Sequence, residues 1–225
     1  CICETTFVCR RELQDTTGII DYGSLIYITL QRSKSAREAI DVMTKLVDEY
    51  GYNSSGESFS VCDKNEGWIL EMVGKGSDEK GAVWVAVRVP DDCICAHANQ
   101  SRITKFPLKD KENCLYATDV ISYARKHGYF EGKDEDFSFR DAYDPGNIGR
   151  RRTCDARVWS FFRKFDKSMD NYLPYLEKDE SISELPLYIK PDHKATLREI
   201  KEYMRDHYED TPLDLRYDVG AGGCQ

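Results

Sequence analysis

The clearest pattern in the chain is the alternation that begins at Ala82. Val83, Val85 and Val87 alternate with Trp84, Ala86 and Arg88, a β-branched run of period two that predicts a strand buried on at least one face. Pro90 cannot donate to a ladder and Asp91-Asp92 favour a turn, so the chain is expected to reverse there. A second apolar strand is expected over residues 93–98, delivering His97, Asn99, Gln100, Ser101 and Arg102 at or just past its end. Polar side chains leaving a hydrophobic strand are a common way to place a site on a rigid support.

The rest of the pattern surrounds that stretch with helices and hairpins. Residues 1–8 read as a short strand with Glu4, Thr5 and Thr6 near its polar end. Residues 25–31 read as a buried helix after Gly23-Ser24. Residues 35–50 form the plainest helix, with Ser35-x-x-Glu38 as a capping box, apolar positions from Ala36 through Tyr50, and Gly51 as the stop. Strands over 58–62 and 68–73 flank the polar turn Asp63-Lys64-Asn65-Glu66-Gly67. Hairpin connections predict an antiparallel α+β sheet rather than βαβ units.

Past Asn113 the pattern turns helical and irregular. Residues 118–127 predict a short helix stopped by Gly128, and residues 131–136 an acidic, solvated loop. Asp144-Pro145-Gly146-Asn147 is a turn. Residues 155–165 form an aromatic helix with Val158, Trp159, Phe162 and Phe165 on one side. Pro174, Pro186 and Pro191 break the next stretch. Thr196-x-x-Glu199 caps a final helix whose apolar stripe is Leu197, Ile200, Tyr203, Met204 and His207. The tail from Gly220 has no pattern of its own. The expected organisation is one domain over 1–225, with helices and central strands in 1–110 and a helical, irregular extension in 111–225.

Composition narrows the function classes. A net charge of -8 argues against a nucleic-acid binder, since phosphate neutralisation needs a clustered basic surface and the one dense run, Arg150-Arg151-Arg152, is short. No stretch reaches the roughly 18 apolar residues of a membrane span. The first residue is not Met and no signal-peptide pattern follows it, so the chain is expected to be processed, trimmed or a fragment. Nine cysteines include the C-x-C pairs Cys1/Cys3 and Cys93/Cys95 but no C-x-x-C array, so no metal site is expected and most thiols should be reduced and buried. That thiol usage slightly favours a cytoplasmic over a secreted setting.

Candidate chemistry centres on Asn99. A carboxamide N–H can hold a developing oxyanion without altering proton bookkeeping, although an asparagine ending a strand is also an ordinary turn former. Arg157 could serve as a carboxylate-binding fork or could simply pair with Asp155 or Asp166. His97 could act as a base or be structural. Glu4, Thr5 and Thr6 could line a pocket at a strand end, or be ordinary strand polars. Cys1, at the free end, could be a self-contained nucleophile whose α-amine acts as base, which would require it within about 3–4 Å of the Asn99 amide.

Several stretches in order resemble the dipeptidase A family, cysteine peptidases of the N-terminal-nucleophile hydrolase class to which the secernins are related. They are Cys3-Glu4-Thr5-Thr6, SAREAI from Ser35, EYGY from Glu49, GESFSVCDKNEGWILEMVGKG from Gly56, WVAVRVPDDCICAHANQSRI from Trp84, ARVWSFFRKF from Ala156 and HYEDTPLD from His207. The resemblance implies an αββα sandwich with antiparallel sheets, hydrolysis of dipeptides by an N-terminal cysteine nucleophile, and no cofactor. It places Asn99 as an oxyanion donor, Arg157 as an organising charge, and Glu4 or Thr5 beside the substrate. The partner it implies is a dipeptide, with room for a homo-oligomer.

The family's nucleophile opens a Cys-Thr-Thr or Cys-Thr-Asn start, which Cys1-Ile2-Cys3-Glu4 does not match; these residues align with an internal strand. The family also continues past the position of Gln225. The chain therefore reads as the middle of such a protein, incomplete at both ends, without its nucleophile segment and inactive alone. The alternative is a non-catalytic, secernin-like interaction protein on the same fold.

Overall fold

The computed structural model describes residues 1–77, 79–146, 151–177 and 184–217. Asn147 of the expected turn, Arg150 of the basic run and the tail from Gly220 lie outside the described residues. The fold is α+β with antiparallel strands, and it divides into two compact units. One comprises Cys1–Asp91 and Asn99–Gly146, the other Asp92–Ala98 and Asn147–Gln225.

The first unit is built on a five-stranded antiparallel sheet in the order β1-β2-β3-β4-β6. Its strands are β1 (Ile2–Phe7), β2 (Gly56–Cys62), β3 (Gly67–Gly74), β4 (Ala82–Val89) and β6 (Cys114–Tyr116). One face carries Phe59, Val61, Trp68, Leu70, Met72 and Ala86, which pack with Leu25 of α1 (Tyr22–Arg32) and Ala39, Ile40, Met43 and Val47 of α2 (Ala36–Tyr50). Burial of these side chains is the main force holding the layers together. Ser35 caps α2 by accepting from the Glu38 amide, as the spacing predicts, and Gly51 ends it at φ +75°. Tyr50 departs from the expected stripe and is exposed. Further along come α3 (Val120–Lys126) and α4 (Phe139–Tyr143), the latter not evident from periodicity because it is barely more than one turn.

The second apolar run does not return as a neighbour of β4. The chain leaves the sheet at Pro90, and only Ile94–Cys95 forms a strand, β5, which pairs with β7 (Tyr188–Ile189) in the second unit. The edge of β4 is instead taken by β6, with Val85 opposite Tyr116 and Val87 opposite Cys114. A two-residue strand has too few side chains for its pattern to specify a partner.

The second unit packs around α5 (Ala156–Arg163), preceded by a π-type turn over Arg151–Asp155. Val158, Trp159, Phe162 and Phe165 are buried with Ala98, Tyr175, Leu176, Ile189 and Leu213, and the indole of Trp159 donates to the Met169 carbonyl at 2.8 Å. A one-turn α6 (Leu173–Leu176) carries two of these side chains. The final helix, α7 (Leu197–Tyr203), has its predicted capping box. Its predicted apolar stripe is covered only in part: Ile200 packs on the core of this unit and Tyr203 against Phe161, whereas Leu197 is 70% and Met204 77% exposed. Amphipathic spacing marks a face but not whether anything covers it. Among the described residues no helix is long and apolar enough to cross a membrane.

Candidate active site

Asn99 has a left-handed backbone, φ +50°, a conformation asparagine tolerates better than most residues. Its carboxamide nitrogen donates to the Thr6 carbonyl at 2.7 Å, at the end of β1, while the residue remains exposed. The side chain is thus aimed by a strand end and still faces solvent.

The residues after Asn99 are held by Glu71, a fully buried carboxylate in the middle of β3. It accepts the Ser101 hydroxyl at 2.5 Å, the Arg102 amide at 2.6 Å and the Ile103 amide at 3.2 Å. The Ser101 amide in turn donates to Asp144 at 3.0 Å. Burial pushes the Glu71 carboxyl up to about 6, opposed by these donors, so it is ionised at neutral pH and its hydrogen bonds are of the stronger, charge-assisted kind.

Glu4 and Thr5 are neighbours on β1 and therefore face opposite sides of the sheet. Thr5 stands opposite Ser58. Glu4 shares its face with Thr6 and Glu57. Glu57 Oε1 accepts from Thr6 Oγ1 at 3.1 Å and from Ser54 Oγ at 2.9 Å. Burial first, then the adjacent Glu4 carboxyl, pushes Glu57 up to about 8, so it holds its proton at neutral pH. The buried Tyr52 hydroxyl is pushed up by burial and by Glu57. Thr6 thus links two networks, its carbonyl holding Asn99 and its hydroxyl serving Glu57.

Cys1 lies at the other end of β1. Its amine donates to the Cys62 carbonyl at 2.7 Å. From Cys1 to Thr6 an extended strand covers roughly 16 Å at about 3.3 Å per residue, so the Cys1 thiol and the Asn99 amide do not meet.

Arg157 belongs to the second unit and is half-buried. Its Nε donates to the Thr153 carbonyl at 2.8 Å and its Nη2 to the Ala98 carbonyl at 3.4 Å, while the Tyr203 hydroxyl donates to the Arg157 carbonyl at 3.0 Å. Of the two acids considered as its partners, Asp155 accepts the Tyr175 hydroxyl at 2.8 Å and Asp166 the Ser168 amide at 2.8 Å. His97 is half-buried in the same unit. Among the described residues no group of three or more His, Cys, Asp or Glu could hold a metal ion.

The model of peptidase family C69 matches residues 2–223. The chain belongs to peptidase family C69. Over 200 residues the C69 chain is 28% identical to a probable dipeptidase of Salmonella dublin, covering 88% of this chain and 42% of that protein. It is 26% identical over 210 residues to dipeptidase A of Lactobacillus helveticus, covering 93% and 41%. With a dipeptidase of Bifidobacterium longum it shares 28% over 210 residues, covering 89% and 38%. The C69 chain therefore spans about two fifths of the length of these relatives, and the resemblance drawn from the ordered segments holds.

Glu57 and Glu71 are the site-supporting residues that sequence reasoning passed over. The available signal was a single acid inside an otherwise apolar run, WILEMV for Glu71, where a solvent-facing strand would alternate.

Proposed function

We propose that this C69 chain is part of a cysteine-type dipeptidase whose nucleophile lies on a segment outside residues 1–225. In this reading the α-amine of an N-terminal cysteine takes the thiol proton and the thiolate attacks the scissile carbonyl carbon. The tetrahedral oxyanion is met by the Nδ2–H of Asn99. Collapse expels the amine, which leaves with the proton from the cysteine ammonium, and water then hydrolyses the thioester. Arg157 acts as an organising charge, Thr5 as a hydroxyl facing the substrate side, and Glu4 through Glu57 as support for Thr6.

The observation that carries this reading is the exposed carboxamide of Asn99, fixed by Thr6 on one side and by the Glu71 grip on residues 101–103 on the other. A neutral donor positioned before substrate arrives is the arrangement that stabilises an oxyanion most efficiently.

The test is a dipeptidase assay of the 225-residue chain and of the complete polypeptide, with and without iodoacetamide. The expected result is activity in the complete polypeptide alone, abolished by alkylation. Activity that survives alkylation would remove the cysteine mechanism. Alkylation-sensitive turnover by the 225-residue chain would make Cys1 the nucleophile, and silence from both would favour an interaction protein on this fold.

A further inference from the structure

Three of the eight described cysteines, Cys1, Cys3 and Cys62, are exposed, and all three stand at one corner of the five-stranded sheet. Cys1 and Cys62 face each other across β1 and β2, exchanging two main-chain hydrogen bonds, Cys1 N to Cys62 O at 2.7 Å and Cys62 N to Cys1 O at 2.9 Å. Cys3 lies two residues on, opposite Ser60, so its side chain shares the face of Cys1. The sulfurs of Cys1 and Cys3 are 3.7 Å apart.

We propose that Cys1 and Cys3 form a reversible intrastrand disulfide, with a low-molecular-weight disulfide such as oxidised glutathione as the oxidant. One thiolate attacks the glutathione disulfide and releases one glutathione thiol. The second thiolate attacks the protein sulfur of that mixed disulfide, closing the Cys1–Cys3 bond and releasing a second glutathione. Two protein thiols are oxidised and one glutathione disulfide is reduced to two thiols, so atoms and electrons balance.

The spacing alone does not carry this. Cys93 and Cys95 have the same C-x-C spacing, yet the Cys95 thiol donates to the Leu187 carbonyl at 3.0 Å and the Cys93 thiol reaches Asp92 at 3.7 Å. In the first pair the two sulfurs are themselves each other's neighbours, at 3.7 Å. Alternate residues of an extended strand have Cα atoms roughly 6.6 Å apart, near the upper end of what a disulfide spans, and such a strained bond is readily reduced. Reversibility follows from the strand geometry. The pairing is independent of the peptidase reading, and it needs only the β1–β2 register, which the main-chain hydrogen bonds of Cys1 maintain.

The experiment equilibrates the protein, carrying Cys9→Ser so that Cys1 and Cys3 are the only thiols in their tryptic peptide, against glutathione buffers of graded potential. Free thiols are then alkylated and the peptides mapped. The expected result is an internally closed, unalkylated peptide covering residues 1–10 under oxidising buffers, reopened by reduced glutathione. Closure should be lost in a Cys3→Ser variant and kept in Cys62→Ser. Full alkylation of Cys1 and Cys3 under the most oxidising buffer, or a cross-link from this peptide to the one containing Cys62, would overturn the proposal.

Discussion

Asn99 donates its side-chain amide to the Thr6 carbonyl at 2.7 Å, tying an exposed left-handed residue to the end of the edge strand β1. Two separate properties of asparagine are used at this position, its tolerance of a positive φ and its neutral N–H donor.

Substitution separates them. Asn99→Gly keeps the backbone conformation without strain, whereas Asn99→Ala forces it at a cost of about 1 kcal/mol. Urea denaturation should rank Gly above Ala in stability. In the complete polypeptide both should lower kcat for dipeptides by about 100-fold or more with little change in KM, because each removes the oxyanion donor.

Glu71→Gln replaces a buried acceptor with a group that must turn an N–H toward the donors of residues 101–103. We expect a loss of about 1–3 kcal/mol in urea unfolding. A fall in kcat should accompany it, since the residues following Asn99 lose their anchor. If the stability of this variant equals that of the parent, the clamp is not what holds the loop.

The pH dependence of stability follows from Glu57. Its carboxyl ionises near 4.5 when unfolded and at about 8 in the fold. Between those values the folded chain binds more protons than the unfolded one, so stability is fullest below the lower value and falls as pH rises toward the upper. Glu71, raised to about 6, adds a change of the same sign over a narrower window. Unfolding free energies from urea titrations should drop between about pH 5 and about pH 8, by on the order of 1 kcal/mol or more, and the drop should shrink in Glu57→Gln.

Gly56 begins β2 directly opposite Phe7, and a Cβ there would meet ring carbons of Phe7 at 2.1 to 2.6 Å. Gly56→Ala should destabilise the first unit by about 1–3 kcal/mol through overpacking. Thermal unfolding of Gly56→Ala and of the double variant with Phe7→Leu checks the mechanism, because a smaller ring-free side chain should recover part of the loss.

Much of this fold was legible in the sequence where local chemistry acts alone. The capped helix α2, the strands β2, β3 and β4, and the aromatic side of α5 all follow from spacing, capping and turn residues. The position of Asn99 at the end of an apolar run was equally visible. What was not legible depends on what lies across from a residue. The pattern over 93–98 reads as a strand, but whether it pairs with β4 or with Tyr188–Ile189 depends on partners distant in sequence. Glu57 and Glu71 were passed over, since the sequence shows an acid within a strand but not the donors and coverings that surround it. The stripe of α7 is met only in part for the converse reason: Ile200 and Tyr203 pack inward, while Leu197 and Met204 have the right spacing and stay exposed.

The Glu71 clamp also sets an order of events. Its donors arrive from residues 101–103, whereas the carboxylate itself takes its place only when β3 pairs with β2 and β4. The loop bearing Asn99 therefore cannot settle before the central strands have zipped, and a single opening of β3 releases it. Exchange of the Arg102 and Ile103 amide protons with solvent should consequently keep time with the central strands rather than with surface loops.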